Sequence, residues 1–258
     1  MKIRFKNKDY ILDTNRSIDI SIPVNFNTSN NPKFYDTSLP EVSYYHFNNV
    51  EYSLNEKGSC NVPIVKLNIH CSATHTESAN HINNNAPLIN ELEISDFIYS
   101  KLISVNPVNN LKGENYHFDL NDNDTFITKK ELHSLLNNNI SSDIKALIIR
   151  TLPNDVIKMN RNYNLDYHPF FTNDAILYLK DIGIEHIIVD IPSIDRYNDG
   201  GKLGNHHLFF KNNEAISTIT ELVYISDDCI DGDYFINLGI INFGLDAAPS
   251  RPKLFPIL

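Results

Sequence analysis

The sequence predicts an α/β fold in a single domain covering residues 1–258, and the 258-residue length suits one large domain. Residues 172–182 predict a helix that begins at a Thr or Asn cap and ends at Gly183. An apolar stretch at 184–194 follows directly, as a strand follows a helix in an α/β unit. Residues 146–151, which read A-L-I-I-R-T, have the composition of a second buried strand.

Short strands make up most of the other predicted elements. Their pattern of apolar and polar residues predicts strands at 1–10, 17–23, 44–53, 62–69, 101–108, 234–243 and 253–258. Residues 25–40 are rich in Asn, Ser and Pro, a composition typical of a loop, and 88–98 predict a short acidic helix or a loop. Residues 127–136 predict another helix, because Thr128 can cap its N-terminus and Glu131 stands three residues later, as in a capping box.

Composition excludes several classes of partner. The net charge is −10 and the pI is about 5.4, which argues against nucleic acid and against anionic membrane surfaces. No stretch approaches the apolar length of a membrane span, and the first residues lack the apolar run of a signal peptide. Three cysteines give no disulfide framework. We therefore expect a cytoplasmic protein.

The densest group of potential ligands lies at residues 69–82, which read I-H-C-S-A-T-H-T-E-S-A-N-H-I. This stretch holds His70, Cys71, His75, Glu77 and His81, and such nitrogen, sulfur and carboxylate donors bind divalent zinc or manganese. If the backbone is extended, Cys71, His75, Glu77 and His81 point to one face and His70 to the other. A single His on a strand is more often a hydrogen-bonded core or surface residue, but this density favours a metal site.

The T-H-T-E-S-A-N-H segment at 74–81 resembles the signature of the cyclase family, H-x-G-T-H-x-D-x-P-x-H, which occurs in bacterial kynurenine formamidase and isatin hydrolase. Two departures concern potential ligands: Cys71 stands where the family has its first His, and Glu77 replaces Asp. The resemblance continues in order through I-V-D-I-P-S-I-D at 188–195, N-H-H-L-F-F at 205–210, I-T-E-L-V-Y-I at 219–225 and F-G-L-D-A-A-P-S-R-P at 243–252. Residues 17–23, S-I-D-I-S-I-P, also resemble the D-L-S-x-P opening of the family, so the resemblance runs in order from Asp19 to Arg251, nearly the whole chain.

The resemblance implies a two-metal site and a fold. Carried over residue by residue, one metal would be held by Cys71, His75 and Glu77, and the second by Glu77, His206 and Glu221. His81 would be the acid/base, and Glu221 would also serve in catalysis. The implied fold is of the swivelling β/β/α type, with a central mixed, barrel-like sheet and flanking helices. The implied assembly is a homodimer or homotetramer.

Two ligand choices remain open at the level of sequence. His70 is the alternative to Cys71 if the chain bulges there, and His207 is the alternative to His206. The other matching residues are expected to hold loops and to hydrogen-bond the ligands: Asp190, Ser193, Asp195, Asp246 and Arg251. In the 25–40 loop, Phe26, Phe34 and Tyr35 are candidates for lining a substrate pocket, although aromatic residues more often serve plain packing.

The predicted function is hydrolysis of a small amide, aryl formamide or lactam by one or two zinc or manganese ions and a His acid/base. One alternative is a catalytically impaired homologue that binds a metal or a small ligand, which the changes at Cys71 and Glu77 motivate. Another is a metal-dependent lyase or dehydratase, since the same metal and His could enolise a carbonyl.

Overall fold

The computed structural model describes residues 1–56, 58–136, 140–165 and 167–258. The strands, in chain order, are β1 (Lys2–Phe5), β2 (Lys8–Ile11), β3 (Ile18–Asp19), β4 (Glu41–Tyr44), β5 (His46–Phe47), β6 (Val50–Glu51), β7 (Pro63–Lys66), β8 (His75–Glu77), β9 (Ile98–Val105), β10 (Phe126–Ile127), β11 (Ala146–Thr151), β12 (Phe170–Phe171), β13 (His186–Val189), β14 (Thr218–Glu221), β15 (Gly232–Asn237), β16 (Ala247–Pro249) and β17 (Lys253–Pro256). The α-helices are α1 (Ile69–Ser72), α2 (Lys129–Leu136), α3 (Asn173–Asp181) and α4 (Gly204–Phe210). Short 3₁₀ helices lie at Thr14–Arg16, Ala79–His81, Ile89–Glu91 and Val156–Asn160.

One curled, mixed sheet forms the centre of the molecule. It contains nine of the described strands, in the order β16-β8-β14-β13-β11-β9-β15-β17-β3. The four middle strands β14, β13, β11 and β9 are parallel to one another. Antiparallel strands flank them on both sides. The predicted α/β fold with a central mixed sheet is confirmed.

The strand β11 shows how the sheet separates two layers of core. All six of its residues are buried, as expected for a parallel strand that is covered on both faces. Because side chains alternate along a strand, Leu147 and Ile149 enter one apolar cluster while Ala146 and Ile148 enter another. The predicted buried strand at 146–151 is therefore confirmed with the same bounds.

The two longest helices begin where the sequence places their caps. The Thr172 hydroxyl accepts a hydrogen bond from the Ala175 amide at 3.1 Å, and the Glu131 amide donates to the Thr128 hydroxyl at 3.4 Å. Beyond α3, Gly183 adopts a φ of 84°, a left-handed conformation that glycine tolerates well. Among the described residues, none of the helices is both long enough and apolar enough to cross a bilayer.

The backbone before His75 differs from the prediction. The predicted strand at 62–69 is confined to β7, and Ile69–Ser72 form a single helical turn. The Asn68 side chain caps this turn, because its oxygen accepts the Cys71 amide hydrogen at 3.1 Å. Successive side chains on a helix are about 100° apart rather than on opposite faces. The extended backbone assumed for Cys71 is therefore wrong, and the parity argument does not apply there.

Candidate metal centre

Two neighbouring strands and one helix bring four of the predicted ligands together. β8 and β14 pair antiparallel with His75 directly opposite Glu221, and β8 also carries Glu77 two residues on. Residues two apart on a strand share a face, so His75 and Glu77 project on one side of the sheet. His206 arrives from α4. All four side chains are buried, with no more than 3% of any of these residues exposed.

The donor atoms of these four residues lie close together. His206 Nε2 is 3.1 Å from Glu77 Oε1 and 3.8 Å from Glu221 Oε1. His75 Nε2 is 3.6 Å from Glu221 Oε2. Two ligands of one zinc ion, each about 2.0–2.2 Å from it, are separated by roughly 3–3.5 Å. The distance between His206 and Glu77, 3.1 Å, lies within this range, and the two distances to Glu221, 3.6 and 3.8 Å, lie just beyond it.

Hydrogen bonds on the far side of each ring fix the tautomer of both histidines. His75 Nδ1 is 3.0 Å from the Ala73 carbonyl oxygen, which can only accept, so Nδ1 carries the proton. His206 Nδ1 is 2.7 Å from Asp195 Oδ2 and donates to it in the same way. In the neutral ring of each histidine, Nε2 is then the nitrogen that faces the carboxylates and can offer a lone pair to a metal. Asp195 thereby has the supporting role expected from the sequence.

Several donor atoms have no hydrogen-bond partner. Among the buried side chains in the described part of the chain, His75 Nε2 and both Glu77 oxygens lack one. Lone pairs on nitrogen and carboxylate oxygen repel one another, and buried groups of this kind are normally satisfied. Either a proton or a cation relieves the repulsion. The buried donor set therefore fits a divalent metal.

Charge in this cluster is distributed in favour of an ionised carboxylate. Burial alone would raise the pKa of Glu77, but the imidazoles of His81 and His206 hold that pKa well below its ordinary value. Burial lowers the pKa of His206, yet the carboxylates of Glu77 and Asp195 raise it well above its usual range. Without a metal, Glu77 and His206 form a buried ion pair.

A second group of side chains surrounds the other oxygen of Glu77. His70 Nδ1 is 3.3 Å and His81 Nε2 is 3.9 Å from Glu77 Oε2. Both rings are held by Asp246, whose Oδ2 lies 3.0 Å from His70 Nε2 and 2.9 Å from His81 Nδ1. These hydrogen bonds hold the pKa of Asp246 well below its ordinary value. Asp246 therefore positions two imidazoles at once, where the sequence predicted only a supporting residue.

Three groups of His, Asp and Glu in the described residues could each hold a metal ion by distance: His75 with Glu77 and Glu221, His70 with Glu77 and His81, and His117 with Asp195 and Asp199. The third group is already occupied by the backbone. Asp199 accepts amide hydrogens from Gly201 and Leu203, and Asp195 accepts one from Asn205. Nothing in the sequence had singled out His117. Its group is best understood as loop packing.

Similarity to known proteins identifies the family of this chain. A family model described as "Putative cyclase" matches residues 18–196. The chain belongs to the cyclase family. Kynurenine formamidase of Bacillus thuringiensis subsp. konkukian (strain 97-27) is 30% identical over 247 residues, which cover 95% of this chain and 100% of that protein. Kynurenine formamidase of Bacillus anthracis is 29% identical with the same coverage.

Several solved structures share the fold of this chain. An isatin hydrolase bound to the product analogue thioisatinate gives a TM-score of 0.63 at 14% identity, covering 94% of this chain and 93% of that one. Isatin hydrolase A from Labrenzia aggregata gives 0.64 at 12% identity, covering 93% of each chain. A structure described as a potential metal-dependent hydrolase with cyclase activity gives 0.61 at 19% identity, covering 93% of this chain and 97% of that one. The predicted family is confirmed.

The structure shows which of the alternative ligand residues lie at the centre. His206 is buried at the centre, whereas His207 is exposed. Cys71 belongs to none of the three groups, and its side chain lies in an apolar cluster with Phe34, Tyr163 and Leu222. Burial raises the pKa of the Cys71 thiol to about 11, and the Glu221 carboxylate adds to the effect. The structure therefore does not bring Cys71 into the donor set.

Aromatic rings from the 25–40 loop lie next to Cys71. The Phe34 amide donates to the Cys71 carbonyl at 3.1 Å, and the Phe34 ring is 5.6 Å from that of Tyr197. Tyr35 stacks 5.2 Å from Tyr197 and has a φ of 57°, an uncommon conformation for a bulky residue. Burial, followed by the charge of Asp199, raises the pKa of Tyr35 to about 12. The rings of Phe34, Tyr35 and Tyr197 pack against one another and form an aromatic wall beside Cys71.

Proposed function

We propose that this chain is a metal-dependent hydrolase that cleaves the C–N bond of a small aryl formamide or lactam. The observation that carries the proposal is the buried set of unpaired donors on His75 and Glu77, with His206 and Glu221 beside them. The relatives named kynurenine formamidase and the neighbours named isatin hydrolase support the substrate class. The aromatic wall of Phe34, Tyr35 and Tyr197 supports a planar substrate.

We assign the metal to His75, Glu77, His206 and Glu221, with Glu77 positioned between two donor groups. Nitrogen and carboxylate ligands suit both zinc and manganese. Because Glu77 belongs to two donor groups, the site has room for one ion or for two. The fifth ligand, which corresponds to the first His of the family signature, is Cys71 by resemblance or His70 by geometry. The bound ion would lower the pKa of a water molecule and polarise the substrate carbonyl.

The protein side chains supply the proton that the leaving group needs. Asp246 accepts the Nδ1 proton of His81, which leaves Nε2 free to exchange a proton on the side that faces Glu77. During hydrolysis, a water molecule adds its oxygen to the carbonyl carbon and gives a proton to His81 Nε2, and the C–N bond breaks. His81 Nε2 delivers a proton to the departing nitrogen. Glu221 keeps its place because its Oε1 accepts the Ile194 amide hydrogen at 3.0 Å.

The test is hydrolysis of N-formylkynurenine and isatin by zinc- and manganese-loaded protein. The expected products are the amine with formate, and the ring-opened acid, with one oxygen from labelled water in each new carboxylate. Protein stripped by a chelator is the control and should regain activity when metal is restored. Stoichiometric metal binding with no turnover on a broad set of amides and lactams would contradict the proposal.

A second candidate is a homologue that binds a metal or a small ligand without turnover. The position of Cys71 outside the donor groups favours it, because the family's first His is replaced there. Isothermal titration with a non-hydrolysable amide analogue would separate the two candidates. Binding without product formation supports this one.

We further propose a homodimer or homotetramer in the cytoplasm. The ribbon formed by β4 to β7 exposes apolar side chains, including Phe47 at 54%, Ile64 at 53% and Val65 at 57%. Exposed apolar side chains grouped in this way often mark interaction surfaces. Light scattering coupled to gel filtration measures the mass, and a monomer at all concentrations would contradict the assembly.

A further inference from the structure

His70 and Cys71 are neighbours, and the helical turn α1 directs them to different surroundings. His70 faces Glu77, with its ring centroid 4.9 Å from that of His75 and 4.3 Å from that of His81. Cys71 faces the apolar cluster of Phe34 and Leu222 instead. The turn therefore brings into the site the residue that an extended chain would have directed away from it.

The ring of His70 is oriented as a ligand. Its Nε2 lies 3.0 Å from Asp246 Oδ2 and donates to that carboxylate, which only accepts. The other ring nitrogen, Nδ1, faces Glu77 Oε2 at 3.3 Å, so it is the nitrogen that a metal held by Glu77 would meet. A carboxylate behind the ring and a second donor in front of it are the usual surroundings of a metal-bound imidazole.

The longer side chain of Glu77 belongs to the same arrangement. Its two oxygens reach His206 on one side, at 3.1 Å, and His70 on the other, at 3.3 Å. An aspartate at this position would end one methylene earlier. The two departures from the cyclase signature, Cys71 and Glu77, are thus coupled: one removes an imidazole, and the other extends a carboxylate toward a different imidazole.

We infer that His70, and not Cys71, supplies the imidazole that holds the metal together with Glu77. This assignment rests on the proposed function, since it concerns the same ion. The ligands are then imidazoles and carboxylates, with no sulfur. Cys71 then serves as a packing residue that ties the turn to the aromatic wall.

The first test needs no variant. Cobalt(II) substitutes for zinc, and a thiolate ligand gives it an intense near-ultraviolet charge-transfer band that nitrogen and oxygen ligands do not give. We expect cobalt-loaded wild-type protein to show ligand-field bands in the visible region without the sulfur band. A sulfur band that is present in the wild type and absent from Cys71→Ser would overturn the assignment.

The second test measures cobalt affinity in matched variants. Loss of a residue that only supports a ligand typically costs about 10- to 100-fold in metal affinity. We therefore expect His70→Ala to lose at least about a hundredfold. Cys71→Ser and the exposed-histidine control His207→Ala should stay within about threefold of the wild type. His70→Gln keeps a donor for Asp246 but removes Nδ1, so it should lose affinity while its thermal unfolding stays near that of the wild type.

The outcomes distinguish this inference from the proposed function. If wild-type protein binds cobalt and His70→Gln binds it equally well, His70 is not a ligand and only this inference fails. If Cys71→Ser alone loses the metal, the assignment is reversed. If the wild type binds no metal under any condition, the proposed function and this inference fail together.

Discussion

Replacing Glu77 by Asp, the residue of the family signature, should impair metal binding in this protein. The substitution keeps the charge and shortens the side chain by one methylene. Glu77 is fully buried, and its oxygens contact His206 at 3.1 Å and His70 at 3.3 Å. A substitution toward the consensus of a family usually stabilises a protein. The opposite expectation here follows from the geometry of the two contacts.

The size of the effect can be worked out from these distances. One carbon–carbon bond is about 1.5 Å long, so the Asp carboxylate would retract by roughly that amount. The contacts with His206 and His70 would lengthen from 3.1 and 3.3 Å to about 4.6 and 4.8 Å, whereas metal ligands tolerate deviations of only about 0.2 Å. Losing Glu77 as a ligand should lower affinity at least about a hundredfold, or about 2.7 kcal/mol. In the metal-free protein the lost methylene costs about 1 kcal/mol, and the loosened ion pair with His206 adds to that loss of stability.

Two measurements separate these effects. Competition with a chromophoric chelator gives the zinc affinity, and urea unfolding of the metal-free protein gives the change in stability. The double variant Cys71→His with Glu77→Asp restores the family residues but should bind zinc within about threefold of Glu77→Asp alone, because the side chain at position 71 faces the apolar cluster and not the donors. Zinc affinity of Glu77→Asp within threefold of the wild type would refute the reasoning.

Three further predictions concern other groups. His81→Ala should keep its metal by elemental analysis but lower aryl formamide hydrolysis about 10²- to 10⁴-fold, and loss of metal would make His81 a ligand instead. Lys158 Nζ lies 2.8 Å from the Asp190 carboxylate, and Lys158→Met would leave that carboxylate buried without its cation. The free energy of unfolding in urea should then fall by about 3–5 kcal/mol. A fall of less than about 1 kcal/mol would contradict this expectation. Burial lowers the pKa of His168 and His186 from 6.5 to about 4. Between these two pH values the unfolded chain binds protons that the folded chain does not bind. The stability that the two neutral histidines contribute is therefore fully present above pH 6.5 and is lost as the pH falls toward 4. Urea midpoints measured across that range should fall, and His186→Gln should flatten the decline.

The sequence by itself determined the local elements and the family. The strand β11 and the caps at Thr128 and Thr172 follow from apolar pattern and from side-chain hydrogen bonding within four residues, which are local effects. The density of donors at residues 69–82 predicted the position of the centre. Ordered agreement with the cyclase signature, from Asp19 to Arg251, predicted that His206 and Glu221 would join it.

Only the tertiary structure decided which side chains face the centre. A single capped turn at Ile69–Ser72 rotates neighbours by about 100°, and this directs His70 inward and Cys71 into an apolar cluster. Asp246 reaches His81 from 165 positions along the chain. The register of β8 against β14 sets Glu221 opposite His75. Which side chains face the centre depends on the packing of distant segments. A metal site forms only where donor atoms from several segments lie within a few ångströms of one another.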